Sequence, residues 1–326
     1  MTGLDVSAVI ERWPVAGAFT IARGAKTHVD VVVATVTGDG ATGRGEATAI
    51  YYHGETAESV AAQIAALGTI HDRVELAGRL GRGAARNAVD AALWDHAARR
   101  SGRPAWQSAG LARAPAACLT AYTISLAEPA VMEAKAREAA GRYPLLKLKL
   151  AGEGDLARVA AVRCGAPAAR LIVDANEAWT GRDVAAEAAA LLPYGVELIE
   201  QPVRAGEDAM LDDVASPIPL CADESIQDRA DLARCIGRYA AINIKLDKAG
   251  GLTEAIALAD AAVAAGLKLM VGCMLSTSLG VAPAFLLAQR AAWVDLDGPL
   301  LLAKDRVPGF TFEGGEMRAP DTVLWG

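Results

Sequence analysis

From Cys118 onward the chain alternates short apolar runs with alanine-rich stretches. The runs are Cys118 to Ile124, Leu145 to Leu150, Leu171 to Asp174, Val196 to Glu200, Pro219 to Asp223, Ala241 to Lys245, Leu267 to Gly272 and Trp293 to Asp297. Each is short enough for a parallel strand buried on both faces and too short for a helix. The stretches between them, such as Leu156 to Val162, Asp183 to Leu192 and Leu252 to Ala265, have a strongly helix-forming composition. Eight runs with seven intervening helical segments predict a (β/α) barrel. Its last helix is expected to be missing, because Gly298-Pro299, Pro308-Gly309, Gly314-Gly315 and Pro320 follow the eighth run.

The first 112 residues read differently. Val29 to Val36 is a β-branched run, and Gly38-Asp39-Gly40 is a hairpin signal. Helical stretches follow at Glu55 to Leu67 and Ala84 to Arg100, the second with apolar residues at i, i+3 and i+4. A meander followed by helices predicts an α+β domain over residues 1–112. The barrel is then expected over 113–303, with a tail from about residue 304 to 326 returning to the N-terminal domain.

Bulk properties narrow the function. The chain has 326 residues, 53% of them hydrophobic, and a formal charge of −7 with scattered lysines and arginines, which argues against nucleic acid as a partner. Neither a basic-then-apolar leader nor an uninterrupted apolar stretch of about 18 residues is present, so a cytoplasmic enzyme without membrane contact is expected. Five cysteines without a C-x-x-C pair and four unclustered histidines disfavour disulfides, zinc and histidine-based metal sites. The oligomeric state, a homo-oligomer included, is left open.

The chemistry lies in what ends the runs. Lys149, Asp174, Glu200, Asp223 and Lys245 each close one run. Charges at the ends of successive strands would meet at the C-terminal mouth of a barrel, where such folds carry their active sites. Asp174, Glu200 and Asp223 would converge from neighbouring strands and repel one another unless a cation joined them. Oxygen donors alone favour Mg²⁺, with Mn²⁺ next. The competing explanation for each carboxylate is a helix cap at a βα junction. Asn176 and Gln201 are placed to hold the ligands in position.

Lys147 and Lys149 share one face of an otherwise apolar strand, and Lys245 ends a strand across the mouth. Opposed lysines across a metal suit removal of a proton from carbon beside a carboxylate and its return from the opposite face. Burial and nearby cations are expected to lower a lysine pKa for that purpose. Lys248, three residues past Lys245, is expected to be solvated. Asp295 and Asp297, at i and i+2, could grip an ammonium group.

Lys147-Leu148-Lys149, Val173-Asp174-Ala175-Asn176, Glu200-Gln201-Pro202, Ala222-Asp223-Glu224-Ser225 and Asn243 to Gly251 together resemble the enolase superfamily. The likeness is to the muconate-lactonizing subgroup, and most closely to the L-Ala-D/L-Glu epimerases among the dipeptide epimerases. The resemblance implies a modified TIM barrel, (β/α)7β, under an α+β capping domain. It implies Lys149 and Lys245 as the acid/base pair, Lys147 as a partner of Lys149 and of the substrate carboxylate, and Asp174, Glu200 and Asp223 as Mg²⁺ ligands. A D-x-D in the place of Asp295 and Asp297 binds the dipeptide's α-ammonium in the resembling enzymes. Arg23 falls in their capping loop, where an arginine can pair with the side-chain carboxylate of the second residue. Thr123 is placed to hydrogen-bond the peptide, and Tyr51, Tyr52 and His53 fall in a second loop over the site. The function expected is epimerisation of L-Ala-Glu-type dipeptides in reuse of cell-wall peptide. The alternatives are o-succinylbenzoate synthase, muconate cycloisomerase, a Schiff-base aldolase and a non-catalytic scaffold.

Overall fold

The computed structural model describes residues 3–21, 24–318 and 324–326. Its N-terminal part is an antiparallel sheet in the order β3-β2-β1-β4, made of β1 (Leu4–Ile21), β2 (Gly24–Gly38), β3 (Ala41–Thr48) and β4 (Thr69–Ile70). The hairpin signal forms as read, with Asp39 and Gly40 at φ of 48° and 78° closing the β2–β3 turn. The sheet backs onto the helix Ala84–Ser101, and the contact is close because β3 carries Gly43 and Gly45. A Cβ at Gly45 would stand 2.2 Å from the Ala88 carbonyl oxygen, so only glycine fits there.

The second part is an eight-stranded parallel sheet in sequence order. Its strands are β6 (Tyr122–Ile124), β7 (Leu145–Lys149), β8 (Arg170–Asp174), β9 (Val196–Glu200), β10 (Leu220–Ala222), β11 (Ala241–Lys245), β12 (Lys268–Gly272) and β13 (Trp293–Asp295). The Ala121 amide donates to the Val294 carbonyl and the Leu296 amide to Thr120 Oγ1, so the first and last strands meet and the barrel is nearly closed.

Three details depart from the sequence reading. The run Cys118 to Ile124 is two strands, because β5 (Cys118–Leu119) pairs outside the barrel with the tail hairpin β14 (Thr311–Glu313) and β15 (Glu316–Arg318). No α-helix separates β9 from β10, where only the 3-10 turn Asp208–Leu211 forms. That segment holds Pro202, Pro217 and Pro219, which lack the amide a helix needs. Between β10 and β11 the helix is reduced to Leu232–Cys235 after a 3-10 turn. Past β14 and β15, the Trp325 indole donates to the Ala91 carbonyl, and Gly326 bonds Asp95 and Ala105. Among the described residues no helix is long and apolar enough to cross a membrane.

The barrel interior is layered with a period of two. Ala121, Leu145, Ile172, Leu198, Cys221, Ala241, Met270 and Trp293, one from each strand or its edge, pack into a single apolar cluster. Two residues further along the same inward faces come Thr123, Lys147, Asp174, Glu200, Asp223, Asn243 and Asp295. An apolar floor therefore lies directly beneath a polar layer, both written by the alternation of the strands.

Candidate active site

Each charged residue of the polar layer is held by a strand or by the first residue after one. Asp174 and Glu200 are register partners at the ends of β8 and β9, and Asp223 follows β10 directly. One oxygen from each carboxylate lies within 4.8 Å of the other two, and all three residues are buried. The donor set is all oxygen, suited to a hard cation such as Mg²⁺. Neighbouring amides fix the ligands: the Asn176 amide donates to Asp174 Oδ1 at 2.9 Å, and Asn243 Nδ2 to Glu200 Oε1 at 2.7 Å. Gln201 Oε1 accepts from the amides of Asp223 and Ser225. At Gly272 a Cβ would stand 2.7 Å from Asn243 Oδ1, so glycine there makes room for that amide.

The lysines surround this cluster. Lys149 Nζ is 2.6 Å from Asp174 Oδ2, and Lys245 Nζ is 2.6 Å from Asp223 Oδ2. Lys147 bridges Glu200 Oε2 at 2.6 Å and Asp295 Oδ2 at 2.7 Å. Burial works to lower the Lys245 ammonium, but Asp223 and Glu200 outweigh it and hold it well above its usual value. Lys147 behaves the same way, burial being outweighed by Asp295, Glu200 and Asp174. The nearest neighbours of Lys245 among the residues are carboxylates, and the expected lowering of a lysine pKa rests on a cation held by those same carboxylates. On the acid side, burial and the adjacent Asp174 push the Glu200 carboxyl up to about 8. Burial acts upward on Asp223 too, but Lys245 and Lys248 hold it well below the carboxylate range.

Lys248 departs from the expected exposure. It is buried and not solvated, donating to Asp223 through both the side-chain Oδ1 and the backbone carbonyl, and to the Asn243 carbonyl. The short helix Leu246–Ala249 turns it back under the strand ends, a turn that periodicity over so few residues does not announce.

One continuous lining joins these groups. Phe19, Lys149, Lys245 and Met274 face both the cavity that holds Asn176, Asp223 and Tyr52 and the one that holds Thr123, Lys147, Asp295 and Asp297. The Thr123 amide donates to Asp297 Oδ2 at 2.7 Å. Burial and Asp295 push the Asp297 carboxyl up to about 7. Among the described residues, the buried Asp295 Oδ1 and Asn176 Oδ1 have no hydrogen-bond partner. Buried acceptors of this kind are costly unless a donor reaches them. Tyr51 and Tyr52 border the same cavity, whereas His53, in the same 3-10 turn, is exposed and off its lining. Arg23 lies outside the described residues. Lys26, on β2 opposite Phe19, was not singled out from sequence and faces the cavity. A lone lysine in a β-hairpin carries no signal that would have marked it.

Comparisons with known proteins agree with this geometry. Residues 4–110 match the model of the mandelate racemase / muconate lactonizing enzyme N-terminal domain, and residues 130–323 that of the enolase C-terminal domain-like family. An L-Ala-D/L-Glu epimerase of Escherichia coli (strain K12) is 43% identical over 94% of this chain and 97% of its own length. An N-acetyl-D-glutamate racemase of Pseudoalteromonas sp is 47% identical over 77% of this chain and 79% of its own. Among solved structures, an enolase family member from Agrobacterium tumefaciens with homology to dipeptide epimerases, with bound sodium and L-Ala-L-Glu, is 48% identical. It superposes with a TM-score of 0.95 over 99% of this chain and 100% of that one. A dipeptide epimerase from Methylococcus capsulatus complexed with Mg and L-Arg-D-Lys is 31% identical, with a TM-score of 0.91 over 100% and 99% of the two chains.

Proposed function

The chain belongs to the mandelate racemase/muconate lactonizing enzyme family of the enolase superfamily and is an isomerase, and from that premise we propose that it epimerises dipeptides of the L-Ala-D/L-Glu type at the α-carbon of the second residue. The observation that carries the reading is the pair Lys149 and Lys245, buried on either side of a three-carboxylate cluster and lining the same cavity as Asp295 and Asp297. In this proposal Asp174, Glu200 and Asp223 hold Mg²⁺. The bound ion would supply positive charge that offsets the pull of the carboxylates on the lysines and stabilises charge developing on the substrate carboxylate.

The chain's own residues do the rest. One of Lys149 and Lys245 takes the α-proton and the other returns a proton to the opposite face. Lys147 stays an ammonium and adds positive charge beside the substrate carboxylate. Asp295, with its unpartnered Oδ1, and Asp297 receive the free amino terminus, and Thr123 keeps Asp297 in place. The apolar floor under the polar layer keeps water from below the reacting carbon.

A second reading, racemisation of an N-acylated glutamate, is favoured by the likeness to the N-acetyl-D-glutamate racemase. An N-acetyl group carries no positive charge for Asp295 and Asp297, which favours the dipeptide. The two are separated by incubating the enzyme with Mg²⁺ in D₂O and following the Glu α-proton by ¹H NMR, with L-Ala-L-Glu and N-acetyl-L-glutamate in parallel. Exchange with inversion on the dipeptide, stopped by EDTA, is expected. Preference for the N-acetyl substrate would overturn the reading, and racemising exchange that survives Lys149→Ala or Lys245→Ala would overturn the two-base assignment.

A further inference from the structure

Each carboxylate of the cluster has two oxygens, and the protein treats them differently. One oxygen of each accepts from a fixed donor: Asp174 Oδ1 from the Asn176 amide at 2.9 Å, Glu200 Oε1 from Asn243 Nδ2 at 2.7 Å and Asp223 Oδ1 from Lys248 Nζ at 2.5 Å. The other oxygens, Asp174 Oδ2, Glu200 Oε2 and Asp223 Oδ2, meet Lys149, Lys147 and Lys245 at 2.6 Å each. Those three lysines line the cavity, so the second set of oxygens is the one turned toward it.

Lys248 differs from these lysines in what it can do. Its side chain is 1% exposed, and its three N–H bonds go to three acceptors: Asp223 Oδ1, the Asp223 carbonyl at 2.5 Å and the Asn243 carbonyl at 3.1 Å. An ammonium so satisfied has no hydrogen left for a ligand. The turn that carries it is pinned as well. Arg86, on the helix Ala84–Ser101, donates to the carbonyls of Ala249 and Gly250 at 2.6 and 3.0 Å, and Asp247 accepts from the Thr48 amide and from Asn87.

Resting on the assignment of the three carboxylates to the cation, we propose that Lys248 is a positioning residue for that ion. By holding Asp223 Oδ1 it leaves Asp223 a single oxygen to offer, as Asn176 and Asn243 do for Asp174 and Glu200, and the site thereby discriminates Mg²⁺ against Ca²⁺. Carboxylates that each give one oxygen suit a small ion that keeps water or substrate in its remaining positions. Ca²⁺ takes about six to eight oxygens and readily draws both from one carboxylate, an approach that the three donors block. The lock on Asp223 is the firmest of the three, because its donor is charged and also grips the backbone of the residue it locks.

The test titrates the metal-free, full-length protein with Mg²⁺ and with Ca²⁺ in separate series, without substrate. It reads the concentration of each ion that half-saturates the rise in melting temperature. The quantity compared is the ratio of the Ca²⁺ to the Mg²⁺ value, in which a general change of site charge or of fold stability cancels. Wild type should favour Mg²⁺, and Lys248→Met should lower the ratio about 10-fold, the low end of the effect of losing a group behind a metal ligand. Asn243→Ala removes the corresponding donor on Glu200 and should lower the same ratio. A ratio within twofold of wild type in Lys248→Met, or in Asn243→Ala if Lys248→Met does not fold, overturns the assignment; a lower melting temperature with an unchanged ratio would mean a structural role only. A wild type that binds Ca²⁺ as tightly as Mg²⁺ also overturns it, whether or not either variant folds. If neither ion raises the wild-type melting temperature, the metal assignment falls and this inference with it. Because no dipeptide is present, the substrate reading is untouched by all of these outcomes.

Discussion

Arg306→Met tests what fastens the N-terminal sheet to the barrel. Glu46 on β3 is fully buried, and it accepts hydrogen bonds from the amide and hydroxyl of Thr277 and from Arg306 Nε and Nη2 at 3.1 and 2.7 Å. Arg306 also reaches Glu11 and lies over the Trp13 ring. Methionine keeps much of the packing and removes the charge. Glu11, about one-third exposed at 34%, regains water at small cost. Glu46 cannot, and stranding one partner of a buried pair costs roughly 3 to 5 kcal/mol. Burial already raises the Glu46 carboxyl above its usual value, with Arg306 opposing it. Without Arg306 it rises further. A raised carboxyl gives stability that is complete below its unfolded pKa and lost as pH climbs through the folded one. The deficit of the variant should therefore be small near pH 5 and open at higher pH by about 1.4 kcal/mol per unit until it levels off. Urea midpoints at pH 5, 7 and 8 measure it, and adding Glu46→Gln should recover most of the loss and remove the pH dependence. A deficit that is flat with pH, or one that Glu46→Gln leaves unchanged, would refute the reasoning.

Two further outcomes follow from buried groups near the site. Asn243→Ala frees Glu200 from its 2.7 Å hydrogen bond, and the Mg²⁺ concentration that half-saturates the shift in melting temperature should rise about 10- to 100-fold; an unchanged titration would mean that Glu200 needs no such support. Asp247, buried against the Thr48 amide and Asn87, is pushed by burial up to about 7. Its contribution is present below about pH 4 and declines as pH rises through 7. Asp247→Asn keeps the acceptor, so the variant should gain on the parent between pH 5 and 8, and a midpoint difference that does not move with pH counts against the assignment.

What could be read from the residues was whatever strand periodicity encodes. Lys149, Asp174, Glu200, Asp223 and Lys245 sit at or just past strand ends, so counting along apolar runs was enough to bring them to one mouth. Lys248 was misjudged because its burial depends on one tight turn after β11, a tertiary effect with no period. The split of β5 from β6 was hidden in a single run, because the tail that pairs with β5 is almost two hundred residues away. Lys26 was invisible until the hairpin placed it beside Tyr51.

The layout also bears on how such an enzyme could change its trade. In the proposed function the groups that move protons and hold the cation come from residues 147 to 245, in the middle of the barrel. Those that receive the amino terminus, Asp295 and Asp297, lie beside the last strand, and the wall that Phe19 and Lys26 add to the cavity comes from the β1–β2 hairpin at the opposite end of the chain. Mutation can reshape the cavity wall at one end, and the grip on the amino terminus at the other, without disturbing the reaction they share. Selectivity is thus the part of this molecule most open to drift, and the chemistry the part least exposed to it.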